Sequence, residues 1–225
     1  MSDTKIDTTL ALLKRIEADF TPAAFANSLG AEDMVLTDLI SKAAPKIELF
    51  SLDTGRLPEE THKLMRKLSE RYPLRIRVYF PDSRDVEEDL AAHGFNGFYD
   101  SVEARKACCH VRKVLPLKRA LAGKKAWITG LRRDQAPTRT ALAEQQDDVE
   151  NGLVKFNPLL DWSEADVWNY IRSNNVPYNR LHDRSYPSIG CAPCTRAITE
   201  GEDIRAGRWW WERPDQKECG LHRRN

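Results

Sequence analysis

Five cysteines carry most of the chemical information in this sequence of 225 residues. One of them, Cys219, sits in the run Glu218-Cys219-Gly220-Leu221-His222-Arg223-Arg224-Asn225. A polar, basic terminal run does not build a core, and such segments move unless something ties them down. A thiol carried on a moving segment can enter a site, react, and leave it to meet a partner. Lys217, His222, Arg223 and Arg224 favour the thiolate, the nucleophilic form of cysteine, while Glu218 opposes them. The expectation is a flexible C-terminal tail over residues 209–225 carrying a reactive Cys219, appended to a domain spanning residues 1–208.

The other four cysteines come as an adjacent pair, Cys108-Cys109, and a Cys-x-x-Cys, Cys191-Ala192-Pro193-Cys194. The first pair falls on an expected helix, where neighbouring side chains diverge by about 100°. One tetrahedral zinc would need both sulfurs within about 2.3 Å of a single point, which strains that geometry. A four-iron cluster offers separate iron corners to divergent thiolates. The set Cys108, Cys109, Cys191 and Cys194 therefore favours a [4Fe-4S] cluster, one per chain, with zinc as the alternative. Arg112 and Lys113 follow at i,i+4 from the cysteine pair, which on an α-helix places each cation on a cysteine's face. Cations there would balance a cluster that four thiolates make negative.

Arg132, Arg133 and Arg139, then Arg205 and Arg208, are planar donors suited to phosphate or sulfate oxygens. The run Trp209-Trp210-Trp211 follows directly. Three indoles in a row are expected to pack over the site and turn the preceding arginines inward.

These residues need a scaffold, and the hydrophobic pattern supplies one. Helices are expected over 8–19, 34–43, 58–71, 84–92 and 103–121, with another starting at the capping box Ser163–Asp166. Short apolar runs at 23–27, 47–52, 75–80, 125–129 and 153–156 read as strands, and 134–150 as polar surface. Strands alternating with helices predict a mostly parallel sheet with helices on both faces. Polar-Gly turns close three of the strands, at Ser28–Asp33, Asp53–Arg56 and Gly130–Asp134. Ligands in open parallel sheets bind beyond such strand ends. The first turn lacks the Gly-Lys-Ser/Thr ending of a phosphate-binding P-loop and the three glycines of a dinucleotide fingerprint. Together the three turns point to a nucleotide.

Composition narrows the setting. A net charge of +1 gives no field that would draw nucleic acid or a membrane surface, so neither is an expected partner. No apolar run reaches the roughly 20 residues of a membrane-spanning helix, and the first residues resemble an amphipathic helix rather than a signal peptide. The chain is expected in the cytoplasm, where a cysteine pattern means metal or catalysis more often than disulfides. The sequence leaves a homo-oligomer open.

In combination these residues closely resemble one family, the assimilatory sulfonucleotide reductases, and within it the iron–sulfur adenosine 5′-phosphosulfate (APS) reductases. The matching stretches are Ser28 to Leu36, Leu52 to Thr61, Cys108 to Lys113, Trp127 to Gln135, Cys191 to Cys194, and Glu218-Cys219-Gly220-Leu221-His222. The resemblance implies a Rossmann-like three-layer α/β sandwich of the adenine nucleotide alpha-hydrolase-like kind. It implies adenosine near Ser28, Leu29 and Gly30 and near Leu52, Asp53, Thr54 and Gly55. Lys113, Arg132, Arg139, Arg205 and Arg208 would hold the phosphosulfate, and Cys219 would attack it with Lys113 and His222 as catalytic companions. Thioredoxin, or a glutaredoxin-like dithiol, would then release sulfite. Two other readings stand beside this one: the same chemistry on the 3′-phosphorylated substrate PAPS, and an ATP-dependent tRNA sulfur transferase. The last expects a Ser-Gly-Gly-x-Asp-Ser loop where this chain has Ser-Leu-Gly-Ala-Glu-Asp. A zinc-stabilised regulatory or nucleic-acid-binding domain is a third, which the near-neutral charge argues against.

Overall fold

Small and aromatic residues in the first apolar run, Ala23, Ala24 and Phe25, are buried and form the central strand of the protein. The computed structural model describes residues 3–135, 142–213 and 217. In chain order the elements are α1 (Asp3–Asp19), β1 (Ala23–Ala26), α2 (Ala31–Ala43), β2 (Glu48–Leu52), α3 (Glu59–Arg71), β3 (Ile76–Tyr79) and α4 (Ser83–His93). There follow α5 (Val102–Cys109), a π-helical turn (His110–Val114), α6 (Leu115–Leu121), β4 (Ala126–Ile128), β5 (Gln145–Asp148), β6 (Leu153–Phe156) and α7 (Glu164–Ser173).

The sheet has the order β3-β2-β1-β4-β6-β5. β1 runs parallel to β2 and to β4, with Ala24 opposite both Glu48 and Trp127. β4 runs parallel to β6, and β5 pairs with β6 antiparallel. Connections leave β1 toward β2 and β3 on one side and toward β4 and β6 on the other. The strand order therefore reverses between β1 and β4, and a crevice opens beyond their carboxyl ends.

The polar segment expected at the surface between 134 and 150 contains β5, which sequence reasoning missed. Its run Gln-Gln-Asp-Asp has no apolar alternation to announce a strand. It pairs because the edge of β6 presents open backbone groups, and Asp148 accepts a 2.8 Å hydrogen bond from the Trp127 indole. The capping box at the start of α7 forms as expected: Ser163 Oγ accepts from the Asp166 amide, and the Asp166 carboxylate accepts from the Ser163 amide.

The chain forms two compact units. The first comprises Met1–Ser51, Glu60–Arg77 and Leu121–Asn179. Its core joins Leu13 and Ile16 of α1, Met34, Val35 and Leu39 of α2, Leu64 and Leu68 of α3, the β1 and β4 side chains, and Val167 and Ile171 of α7. On one flank the buried Asp38 accepts from the hydroxyls of Tyr72 and Tyr170, at 3.0 and 2.6 Å, and pairs with Lys42. Burial, with Asp38 beside them, pushes both tyrosines well above their usual range. The second unit comprises Leu52–Glu59, Val78–Ala120 and Arg180–Asn225. There Phe98, Cys109, Cys191, Cys194 and Trp209 pack into one buried cluster, with Cys108 and Trp211 against it.

Candidate active site

In the first unit the β1 strand end turns sharply at Leu29, a buried non-glycine residue at φ 64°. Such a backbone is held only where its surroundings insist on it. Asn27 supplies that constraint by accepting from the Leu29 amide at 2.7 Å while its own amide is held by Thr37. Asp33, in the first turn of α2, accepts from both the amide and the hydroxyl of Ser28, at 2.7 and 2.6 Å. Gly30 caps α2 with no side-chain partner, leaving a helix N-terminus suited to an anion. The β4 strand end closes against the same loop. A Cβ on Gly130 would stand 2.1 Å from Asp33 Oδ1, so only glycine fits there. Burial lifts Asp33 to about 7, against the hydrogen bonds from Ser28, which lower it.

Arg132 lies in the same unit, 2% exposed, with its Nε on Glu32 at 2.9 Å and Nη1 on the Trp162 carbonyl at 3.3 Å. This guanidinium is spent on shaping the loop as much as on offering a donor.

The second unit brings Cys108, Cys109, Cys191 and Cys194 around one cavity, together with Arg56, Phe98, Arg105, Arg112, Lys113, Pro193 and Trp209. Ser101 caps α5, accepting from the Ala104 amide, and so sets the start of the helix that carries the cysteine pair. Beyond Cys109 the backbone widens into a π-helical turn, in which the Leu115 amide bonds the His110 carbonyl five residues back. The expected i,i+4 relation between the cysteines and the cations is therefore replaced by a wider winding, of a kind frequent at functional sites. Sequence periodicity gives no sign of the extra residue. Arg112 and Lys113 line the cysteine cavity nonetheless.

The Cys191–Cys194 loop is fixed by its backbone. The Cys194 amide donates to the Cys191 carbonyl, the Ala192 amide to Arg56 O at 2.8 Å, and the Trp209 amide to Cys194 O at 3.1 Å. Thr195 Oγ1 donates to Cys191 O, and the Tyr99 hydroxyl donates to Pro193 O. Thr54, expected at the nucleotide, places its hydroxyl 3.2 Å from Cys191 Sγ, and Arg112 donates to the Thr54 carbonyl at 2.8 Å.

The four thiols are not equivalent. Burial pushes Cys108 up. Burial and the neighbouring Cys191 and Cys109 push Cys194 up to about 12. Burial would raise Cys191 as well, but Lys113, the Thr54 hydroxyl, Arg208 and Arg112 outweigh it and hold this thiol below the usual range. Thiols that repel one another's ionisation, ringed by cations, form a donor set that a positively charged metal group would ionise together.

Among the described residues, no group of three or more His, Cys, Asp or Glu is placed to hold a single metal ion. The cavity offers donors as well as thiols. Arg112 and Trp209 line it, and their Nε and Nε1 atoms are buried without a hydrogen-bond partner among the described residues. A group bearing sulfur acceptors would satisfy them, so these residues fit an iron–sulfur cluster.

Of the arginines expected at the anion, Arg208 is buried, stacked on Trp209 at 4.7 Å, and donates toward Ser188 Oγ and Ile189 O. Gly190 makes room for it: a Cβ there would meet Arg208 Nη2 at 2.3 Å. Arg205 donates to the Lys217 carbonyl at 3.3 Å. Trp209 packs inward at 1% exposure, as expected of the tryptophan run, whereas Trp210 stays 40% exposed against Tyr99. Leu52 ends β2, and Asp53 and Gly55 form the turn beyond it, where Gly55 takes φ 70° and its amide donates to Asp53 Oδ1. Cys219, His222 and Arg139 lie outside the described residues. Sequence reasoning overlooked Arg56 and Arg105. Their one signal is position, since Arg105 stands one helical turn before Cys109.

A family model described as the phosphoadenosine phosphosulfate reductase domain matches residues 22–197. A protein of Allochromatium vinosum named adenosine 5′-phosphosulfate reductase is 56% identical over 215 residues, 96% of this chain and 84% of its own. A Burkholderia cepacia protein of the same name is 53% identical over 218 residues, 97% and 87%. Among solved structures, phosphoadenylyl-sulfate reductase from Candida auris, a phosphate complex, aligns with TM-score 0.73 and 30% identity over 84% of this chain and 90% of that one. Candida glabrata FMN adenylyltransferase with ATP aligns with TM-score 0.57 at 17% identity, over 96% and 73%, and shares the fold alone.

Proposed function

Because the chain belongs to the phosphoadenosine phosphosulfate reductase family, we propose that it reduces adenosine 5′-phosphosulfate to sulfite and AMP. Members named for this activity are 49–56% identical over most of the chain. The observation that carries the reading is the cavity of the second unit, in which four thiols and the cations Arg56, Arg105, Arg112 and Lys113 surround one space.

The Ser28–Gly30 loop, with its strained Leu29 and the free α2 N-terminus, takes part of the nucleotide, and Leu52, Asp53, Thr54 and Gly55 are assigned to it as well. Lys113, Arg132, Arg139, Arg205 and Arg208 are assigned to the phosphosulfate. The Cys219 thiolate attacks the sulfate sulfur. A sulfur–sulfur bond forms, the sulfur–oxygen bond to phosphate breaks, and AMP leaves with that oxygen. A reduced dithiol, thioredoxin or a glutaredoxin-like protein, then attacks Cys219 Sγ, expels sulfite and takes up the oxidising equivalents as its own disulfide. His222 is assigned to this exchange.

Cys108, Cys109, Cys191 and Cys194 would hold one [4Fe-4S] cluster. When bound it supplies a cross-link and a fixed negative charge. Lys113 lines the same cavity and favours the Cys191 thiolate. No helix among the described residues is long and apolar enough to cross a membrane, and a cytoplasmic setting with reduced dithiols suits this chemistry.

The test is intact mass after anaerobic incubation with APS, or separately with PAPS, and no reductant. A gain of one SO3 mapped to Cys219 with APS, removed by reduced thioredoxin, is the expected result. A gain with PAPS at equal rate would widen the substrate to both nucleotides. No gain with either, in protein carrying its iron, would overturn the reading.

A further inference from the structure

The tail that carries Cys219 has a firm point of attachment on the cysteine helix. Arg105, on α5 one turn before Cys109, is fully buried. Its Nε and Nη2 donate to the two carboxylate oxygens of Glu212 at 2.8 and 2.6 Å, a bidentate fork. The Glu212 side chain is itself 3% exposed. The same guanidinium hydrogen-bonds the Cys109 side chain and stacks on the Trp209 ring at 4.8 Å. The Glu212 amide closes the intervening turn onto the Trp209 carbonyl at 2.9 Å. One cation thus grips a proposed cluster ligand with one edge and the buried carboxylate of Glu212 with the other.

We propose that Arg105 is a positioning residue for the tail: its pair with Glu212 tethers the Cys219 segment to the metal centre and limits how far that thiol can range. The proposal rests on the reading of Cys219 as the nucleophile. With residue 212 fixed, Cys219 lies seven Cα steps beyond the anchor, a reach of at most about 25 Å. A short tether keeps the thiol at high effective concentration near one site. Farther along, Lys217 makes two single contacts, its carbonyl accepting from Arg205 and its ammonium donating to Ala206 O, both at 3.3 Å. These are longer and more exposed than the fork at Glu212.

Arg105 keeps its bond to Cys109 when Glu212 is removed, so truncating Glu212 separates the tail from the centre without stripping the cysteine of its partner. The experiment uses the full chain loaded with iron, as wild type, Glu212→Gln and Glu212→Ala. Four quantities are read: iron per chain, AMP affinity, the rate at which Cys219 gains SO3 from APS without reductant, and the rate of trypsin cleavage after Arg208. In Glu212→Ala, iron and AMP affinity hold, the SO3 gain slows about tenfold, and cleavage after Arg208 quickens about tenfold, with Glu212→Gln between. Wild-type rates of SO3 gain and of cleavage in Glu212→Ala would overturn the anchor. Loss of iron in Glu212→Ala or Glu212→Gln would also overturn it, by making the pair a support of the cluster instead. If the wild type itself gains no SO3, the functional reading falls, and the cleavage rates still decide the anchor.

Discussion

The Thr54 hydroxyl lies 3.2 Å from the sulfur of Cys191, and the carbonyl of the same threonine accepts from Arg112 at 2.8 Å. A turn that follows β2, assigned under the proposed function to the nucleotide, is thereby tied to a thiol of the cysteine cavity. Removing the hydroxyl takes one stabilising contact from Cys191, a thiol held below the usual range. Thr54→Val should cost about 1.5–3 kcal/mol of thiolate stabilisation at Cys191. Iron uptake during anaerobic reconstitution should then need a higher pH, while Thr54→Ser reconstitutes as wild type does. An unchanged pH profile in Thr54→Val would show that the hydroxyl contributes nothing to ionising Cys191.

Lys113 lines the same cavity and is the strongest of the charges that lower Cys191. Its loss should act on the substrate more than on the metal, because Arg112, Arg208 and Thr54 remain to favour the Cys191 thiolate. Lys113→Ala should lower kcat/KM by about 100-fold or more, the scale of a lost phosphate-facing cation in a shielded site. Iron content should stay within a fifth of wild type. Iron and activity falling in proportion would recast Lys113 as part of the metal site alone.

How much of this was legible beforehand divides along physical lines. The apolar runs around Phe25, Leu49 and Ile128 announced the parallel strands because buried strands need them, and Ser163 with Asp166 announced the start of α7 through its cap. β5 was not legible, since its pairing rests on backbone groups of β6 that no side chain in Gln145–Asp148 advertises. The same holds for the π-helical turn after Cys109, because one extra residue in a helix leaves the local composition unchanged. Among the site residues, the four cysteines were found by spacing alone. Arg105 was not, because an arginine on a basic helix looks like solvent-facing charge until Glu212, more than a hundred residues later, is seen to pair with it.

Cys219→Ser should leave the fold and the iron content intact and reduce turnover by at least about a thousandfold, since a serine hydroxyl is neither ionised at neutral pH nor able to accept dithiol attack at sulfur. AMP affinity should be unchanged, because the nucleotide contacts assigned here lie elsewhere. Substantial sulfite release from the serine variant would shift the nucleophile to another group and with it the purpose of the tail.

Asp33 makes the stability of the first unit sensitive to pH in a direction opposite to that of an exposed, salt-bridged carboxylate. Burial lifts it from 3.8 to about 7, against the Ser28 hydrogen bonds and with Glu32 adding to the rise. Between about pH 4 and 7 the folded protein therefore retains a proton that the unfolded chain has released. Each pH unit in that window costs up to about 1.4 kcal/mol of stability as pH rises. Below pH 4 both states are protonated and above 7 both are ionised, so the dependence flattens at each end. Asp33→Asn removes the titration and keeps one oxygen for Ser28, though its amide nitrogen sits poorly beside the Gly130 N–H that faces Asp33. The variant should be uniformly shifted in stability, and the difference in urea-unfolding free energy between wild type and variant should fall by a few kcal/mol from pH 4.5 to pH 7.5. A difference that stays constant across that range would place the Asp33 proton off the protein at neutral pH, leaving the Ser28 turn held by a carboxylate.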